Sequence, residues 1–160
     1  MVLKNGPLEI SKGFFLPKKK IYMSKYGAIP TMNYKDANAA VQFLTKALGF
    51  KEHFVYRDEN NNVQHAELSL GNAMIMIGPE RKGTDFGKLT GTPADANGLN
   101  TQTAYFIIEE VDAHYKNAKS HGAEIVMDIK DEDYGGRGYS CKDPEGFIWN
   151  FGSYDPYAEK

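Results

Sequence analysis

His65 and Glu67 stand two residues apart in the run 63–70, where apolar and polar residues alternate. In an extended strand that spacing puts both side chains on one face with Ser69, and Ala66, Leu68 and Leu70 on the other. An imidazole beside a carboxylate can share a proton in acid/base work, or supply two ligands to a first-row metal ion. The same pattern also describes ordinary polar residues on the solvated face of an antiparallel sheet. A second chemical grouping is Tyr134-Gly135-Gly136-Arg137-Gly138-Tyr139. Its glycines would let backbone approach a ligand, Arg137 would take a carboxylate or phosphate, and the tyrosines would stack on it. A bulged loop entering a strand would use the same residues. No βα phosphate-binding context follows, so this is not a dinucleotide fingerprint.

Three further strands contribute candidates. Met74 and Met76 share a face and would give an adaptable floor to a cleft. If Asn150 faces that cleft, Ile148 accompanies it, while Trp149 and Phe151 turn toward the core. Tyr105 joins the set from the run 103–108. The expected ligand-binding residues are therefore His65, Glu67, Met76, Tyr105, Arg137, Tyr139 and Asn150. His53, His114 and His121 have no partner at a useful spacing, and the last two fall on a helix surface expected to be exposed. Cys141 has no histidine near it in sequence, so a buried, inert thiol is expected.

The elements that carry these residues repeat. Residues 28–34 read as a strand with Pro30 near its start, where a missing N–H is tolerated. Residues 36–48 then show apolar side chains at a 3.6-residue period, an acidic start at Asp36 and a stop at Gly49. Strand-like runs follow at 52–57, 63–70 and 73–77, the last two joined by a Gly71-Asn72 turn. After a Gly-, Thr- and Pro-rich connection over 80–102, the order recurs: strand 103–108, helix 111–121 stopping at Gly122, and strands 123–129, 138–142 and 147–151 around the turn 143–146. Two copies of strand, helix and three strands are the simplest account. The expected fold is α+β: two βαβββ modules forming a curved, mostly antiparallel eight-stranded sheet with helices on its convex face.

Length and composition agree with one domain. A chain of 160 residues suits a single core, set here at 26–157 with modules at about 28–79 and 103–154, and 1–25 as an N-terminal extension or arm. A net charge of −2 offers no basic surface for nucleic acid. No apolar run approaches the ~20 residues a membrane span requires. A lone cysteine cannot form an internal disulfide and fits a reducing cytoplasm, and residues 1–25 lack the apolar stretch of a secretory signal.

Two segments add a resemblance. Ala39-Ala40-Val41-Gln42-Phe43-Leu44-Thr45-Lys46-Ala47-Leu48-Gly49-Phe50 resembles the first helix of the vicinal oxygen chelate superfamily, and Asp143-Pro144-Glu145-Gly146-Phe147-Ile148-Trp149-Asn150-Phe151 its last hairpin. That group includes glyoxalase I, extradiol dioxygenases, fosfomycin-inactivating enzymes and bleomycin-binding resistance proteins. Its metal-dependent members take His, Glu or Gln ligands from the first and last strands of each module. The resemblance carries those positions to Pro30, Met76, Thr103 and Asn150, a set poor in donors for Ni, Zn, Fe or Mn. A shift by one residue at each strand adds only Gln102 as a ligand type of the group. The resemblance thus implies an organic small molecule held in a metal-free cleft, completed between two subunits of a homodimer, with no cofactor. The alternative is a glyoxalase- or dioxygenase-type enzyme whose divalent metal has relocated to His65 and Glu67.

Overall fold

Asp36 starts the first helix as expected: its side chain accepts a hydrogen bond from the Ala39 amide at 2.9 Å, a cap worth about 1 kcal/mol. The computed structural model describes residues 27–158, and the reading of 1–25 as an arm lies outside them. The first module runs β1 (Thr31–Tyr34), α1 (Ala37–Lys46), β2 (Lys51–Arg57), β3 (Val63–Leu70) and β4 (Ala73–Pro79). The second runs β5 (Ala104–Ile107), α2 (Val111–Ser120), β6 (Glu124–Asp131), β7 (Arg137–Lys142) and β8 (Ile148–Gly152). Gly49 and Gly122, the two predicted stops, have φ of 71° and 88°, which side chains with a Cβ rarely adopt. Each helix is shorter than its pattern suggested because the final residues before these glycines unwind into a turn.

The α+β architecture of two βαβββ modules is as the repeat predicts, with one correction. The strands form two four-stranded sheets, β1-β4-β3-β2 and β5-β8-β7-β6, rather than one hydrogen-bonded sheet of eight. In each, the first strand pairs in parallel with the last and the other pairs are antiparallel. The connection between modules holds two single-turn 3₁₀ helices, Gly87–Leu89 and Pro93–Ala96, the second closed by a Thr92/Asp95 capping box.

One buried core serves both modules. Leu44, Leu48, Leu68, Ile75 and Ile77 come from the first, Phe106, Cys141, Trp149 and Phe151 from the second. Phe50 joins them, edge-on to Phe106 at 5.2 Å and to Trp149 at 5.7 Å between ring centres. Polar contacts fix both ends of α1 to the second module. The Lys35 and Asp36 amides donate to the two Glu145 carboxylate oxygens, each at 2.8 Å. At the other end, Asn117 of α2 donates to the Lys46 and Ala47 carbonyls, both at 2.9 Å. The Asp143-Pro144-Glu145-Gly146 turn is therefore a fastener, and Asp143 is its buried part: it accepts from Tyr34 Oη (2.7 Å), Trp149 Nε1 (3.1 Å) and the Glu145 and Phe147 amides (3.0 Å each). Burial still outweighs these bonds and raises the Asp143 pKa.

Candidate functional site

Strand alternation splits every sheet into a face that joins the core and a face that does not, here called the open face. In the first sheet, Ala66, Leu68, Ile75 and Ile77 are buried, so His65, Glu67, Ser69, Met74 and Met76 lie on the open face. Register places Glu67 opposite Met76 on one side and Phe54 on the other. In the second sheet Phe106, Trp149, Phe151 and Cys141 point inward, which leaves Tyr105, Ile107, Ser140, Ile148 and Asn150 on the open face. Five of the seven expected residues, His65, Glu67, Met76, Tyr105 and Asn150, thus occupy open faces.

Arg137 and Tyr139 do not, and this corrects the sequence expectation. Tyr139 is buried in the core, stacked on Phe151 at 5.5 Å between ring centres. Its hydroxyl donates to His114 Nδ1 at 2.7 Å, while His114 Nε2 donates to the Leu48 carbonyl at 3.0 Å. This pair of bonds requires the neutral Nε2–H tautomer. Burial accordingly lowers the His114 pKa, and the bond to Leu48 opposes it only in part. The exposed position expected for His114 is likewise corrected, because Asn117 and His114 both turn toward the end of α1. Arg137 shares the inner side with Tyr139 and is used there: Nε and Nη2 grip both Asp112 oxygens at 2.9 and 3.2 Å, and Nη1 reaches Asp131 at 3.0 Å. The parity of the strand decides the matter. The loop glycines do not shift it, so Tyr139 follows Cys141 inward. Cys141 is itself fully buried, its thiol pKa pushed up to about 12 by burial.

Register also bears on the four positions carried over from the superfamily. Thr31 pairs with Met76 and Tyr105 with Asn150, so the first-strand residues beside the last-strand ones are Thr31 and Tyr105, not Pro30 and Thr103. The donors become a hydroxyl, a thioether, a phenol and an amide. The amide is already committed: Asn150 Oδ1 accepts from Ser140 Oγ at 2.7 Å, and Nδ2 donates to the Ala104 carbonyl at 3.0 Å. Tyr105 Oη donates to the Tyr154 carbonyl at 3.1 Å, with its ring across Gly152, where a Cβ would lie 2.6 Å from the phenol oxygen. Such a set does not fit a hard or borderline divalent ion. Among the described residues, no group of three or more His, Cys, Asp or Glu side chains could hold one.

Sequence reasoning missed His53. A β-bulge between Glu52 and Phe54 breaks the register of β2 against β3, and an extra residue in one strand re-aims a side chain. His53 Nε2 consequently lies 3.9 Å from Glu67 Oε2, while His65 Nε2 lies 3.4 Å from Oε1. Around them Phe54 and Tyr56 are more than half exposed. Tyr105, Ile107 and Met127 are exposed on the other sheet. Two hollows among the described residues lie elsewhere. One, of about 30 Å³, sits between α1 and the 143–146 turn, and neither is lined by His65, Glu67, Met76, Tyr105 or Asn150.

Comparison with known proteins adds three findings. Residues 28–151 match the model of the Glyoxalase/Bleomycin resistance protein/Dioxygenase superfamily. Uncharacterized proteins of Mycobacterium bovis and Mycobacterium tuberculosis are 27% identical over 123 residues, which is 77% of this chain and 80% and 71% of theirs. In three dimensions the chain is similar to TioX from Micromonospora (TM-score 0.62, 24% identity, 84% of this chain and all of that one). It is also similar to the fosfomycin resistance protein FosX from Listeria monocytogenes in complex with Mn(II) (TM-score 0.60, 15% identity, 84% and 94% coverage). At these identities the structural likeness speaks for the fold alone.

Proposed function

The chain belongs to the Glyoxalase/Bleomycin resistance protein/Dioxygenase superfamily, and from that premise we propose that it binds an organic small molecule on the open faces of its two sheets, in a cleft that a second copy completes. The observation that carries this reading is the side-chain set of those faces. Phe54, Tyr56, Tyr105, Ile107 and Met127 stand exposed there beside His65, Glu67, Met76 and Asn150. Large apolar groups with a few polar ones are the lining of an organic-ligand pocket, and exposed in number they mark an interaction surface. Neither hollow described above is lined by these residues; in this reading a homodimer encloses the ligand while covering the edge strands β2 and β6.

Binding in this reading rests on stacking and apolar contact, with Glu67, His65 and Asn150 orienting the ligand, and involves no ion at Thr31, Met76, Tyr105 and Asn150. The protein acts in the cytoplasm, with no nucleic-acid or membrane partner. Among the described residues, no helix is long and apolar enough to cross a membrane. The test joins light scattering at tens of micromolar with a thermal-shift screen of flat and amphipathic compounds, including aromatic antibiotics. A dimeric mass and stabilisation by an organic compound are expected. A strictly monomeric mass with no organic hit would refute the proposal.

A further inference from the structure

The connection between the modules carries two uncovered apolar side chains, Phe86 and Leu89, which are 73% and 84% exposed. Their backbone is firmly held. The Leu89 amide donates to the Phe86 carbonyl at 3.0 Å in the 3₁₀ helix Gly87–Leu89, and residues three apart in that geometry eclipse one another. Phe86 and Leu89 therefore stand side by side. Thr84 ties the turn down: its amide and its hydroxyl both donate to the Arg81 carbonyl, each at 2.9 Å, and the hydroxyl accepts from the Gly87 amide at 3.0 Å. Gly87 is pressed so closely onto this backbone that a Cβ would lie 1.9 Å from the Arg81 carbonyl oxygen. An apolar pair presented on a turn ordered in advance loses little conformational entropy when a partner covers it.

Position and charge point to the partner. Asn33 lies on the open face of the first sheet, opposite in parity to the buried Tyr34, and its Nδ2 donates to Thr90 Oγ1 at 3.2 Å. The apolar pair thus sits at the rim of that face. Three cations surround it. Lys82 is held by Glu80 and Asp95 and Lys88 by Asp85, whereas Arg81 donates from Nη2 to the Gln64 carbonyl at 3.2 Å, with no carboxylate among the described residues paired to it. The second module has the opposite balance: residues 103–158 hold eleven Asp and Glu against five Lys and Arg. Its open face also exposes Tyr105, Ile107 and Met127. One surface of the chain is therefore apolar with an unmatched cation, and another is apolar with an excess of carboxylates. A second copy related by a two-fold axis would bring the two together twice.

We propose that Phe86 and Leu89 of each copy seat against the Tyr105, Ile107 and Met127 surface of the other, with Arg81 turned to its acidic second module, so that the inter-module connection of one copy walls the ligand cleft of its partner. This rests on the proposed function and adds to it the residues that one copy contributes to the other's site. The test is sedimentation velocity on the full native chain and on Phe86→Glu, Leu89→Glu and Arg81→Glu, with circular dichroism to confirm folding. Phe86→Glu and Leu89→Glu each set a carboxylate against an acidic face and should weaken dimerisation about tenfold or more. Arg81→Glu should weaken it less, and Arg81→Lys should restore it. Independently of any variant, filtered NOE spectra of a mixed labelled and unlabelled native dimer should connect the Phe86 ring to Ile107 of the partner subunit. A native dimer without that NOE, or one whose dissociation constant is unchanged by Phe86→Glu and Leu89→Glu, would overturn the contact and leave the proposed function standing. A native chain that stays monomeric at tens of micromolar would overturn both.

Discussion

The inner and open faces of the two sheets use the same kinds of residue for opposite ends. On the inner side His114, Tyr139, Asp143, Tyr34 and Arg137 each have specific partners, most of them holding one module against the other. On the open side His53, His65, Glu67 and Tyr105 make few bonds and stand partly or largely exposed. The chemical type of a residue therefore says little here about its role. The face to which strand parity assigns it says much more, because a buried polar group must be satisfied while an exposed one is free to meet a ligand.

Substitutions that break this contrast should fall in a definite order. Asp143→Ala removes the acceptor of four hydrogen bonds and strands the Tyr34 hydroxyl and the Trp149 indole N–H. A loss of about 3 kcal/mol is expected in urea unfolding. A loss within 0.5 kcal/mol would mean that the turn is not a fastener. Tyr139→Phe keeps the ring stack on Phe151 but leaves His114 Nδ1 without a donor, at a cost of about 1–2 kcal/mol. An unchanged denaturation midpoint would contradict the inward assignment of Tyr139.

The pH dependence of the His114 bridge gives a subtler difference. Its folded-state pKa is lowered, first by burial. Its contribution is therefore full above the ordinary imidazole range and is lost as the pH falls through the folded-state value. Thermal unfolding should shift downward on acidification more steeply in the native chain than in His114→Gln. Parallel curves would show that His114 does not titrate with unfolding. Smallest of all are the effects expected on the open face: Phe54→Ala and Tyr56→Ala should change stability by less than about 0.5 kcal/mol, yet abolish the thermal shift given by any organic compound that stabilises the native chain. Equal thermal shifts in both variants would place binding elsewhere.

The repeat, both helices and the shared open face of His65 with Glu67 and of Met74 with Met76 were legible because they depend on periodicity, which one sequence carries locally. Trp149 and Phe151 were legible as core for the same reason. Arg137 and Tyr139 were misplaced because a glycine-rich loop beside an arginine suggests ligand contact, while the fate of both is set by the parity of β7 against Cys141 and by Asp112, 25 residues away. His114 was misread for a related reason. Its partners are Leu48 at the end of α1, 66 residues away, and Tyr139, and no local pattern announces that the two helices meet there. His53 depends on a bulge, which shifts register without leaving a distinct residue signature. The division into two sheets was also hidden, since strand order can be inferred from a repeat but the absence of a bond between β1 and β5 cannot.

The most direct test of the open-face account is residue-level mapping of binding by NMR, using the compound that gives the largest thermal shift. The account predicts chemical-shift changes concentrated at His65, Glu67, Met76, Tyr105 and Asn150, with Arg137, Tyr139 and His114 unmoved. Changes centred on the inner side, around Tyr139 or the Asp143 turn, with the open faces silent, would contradict it.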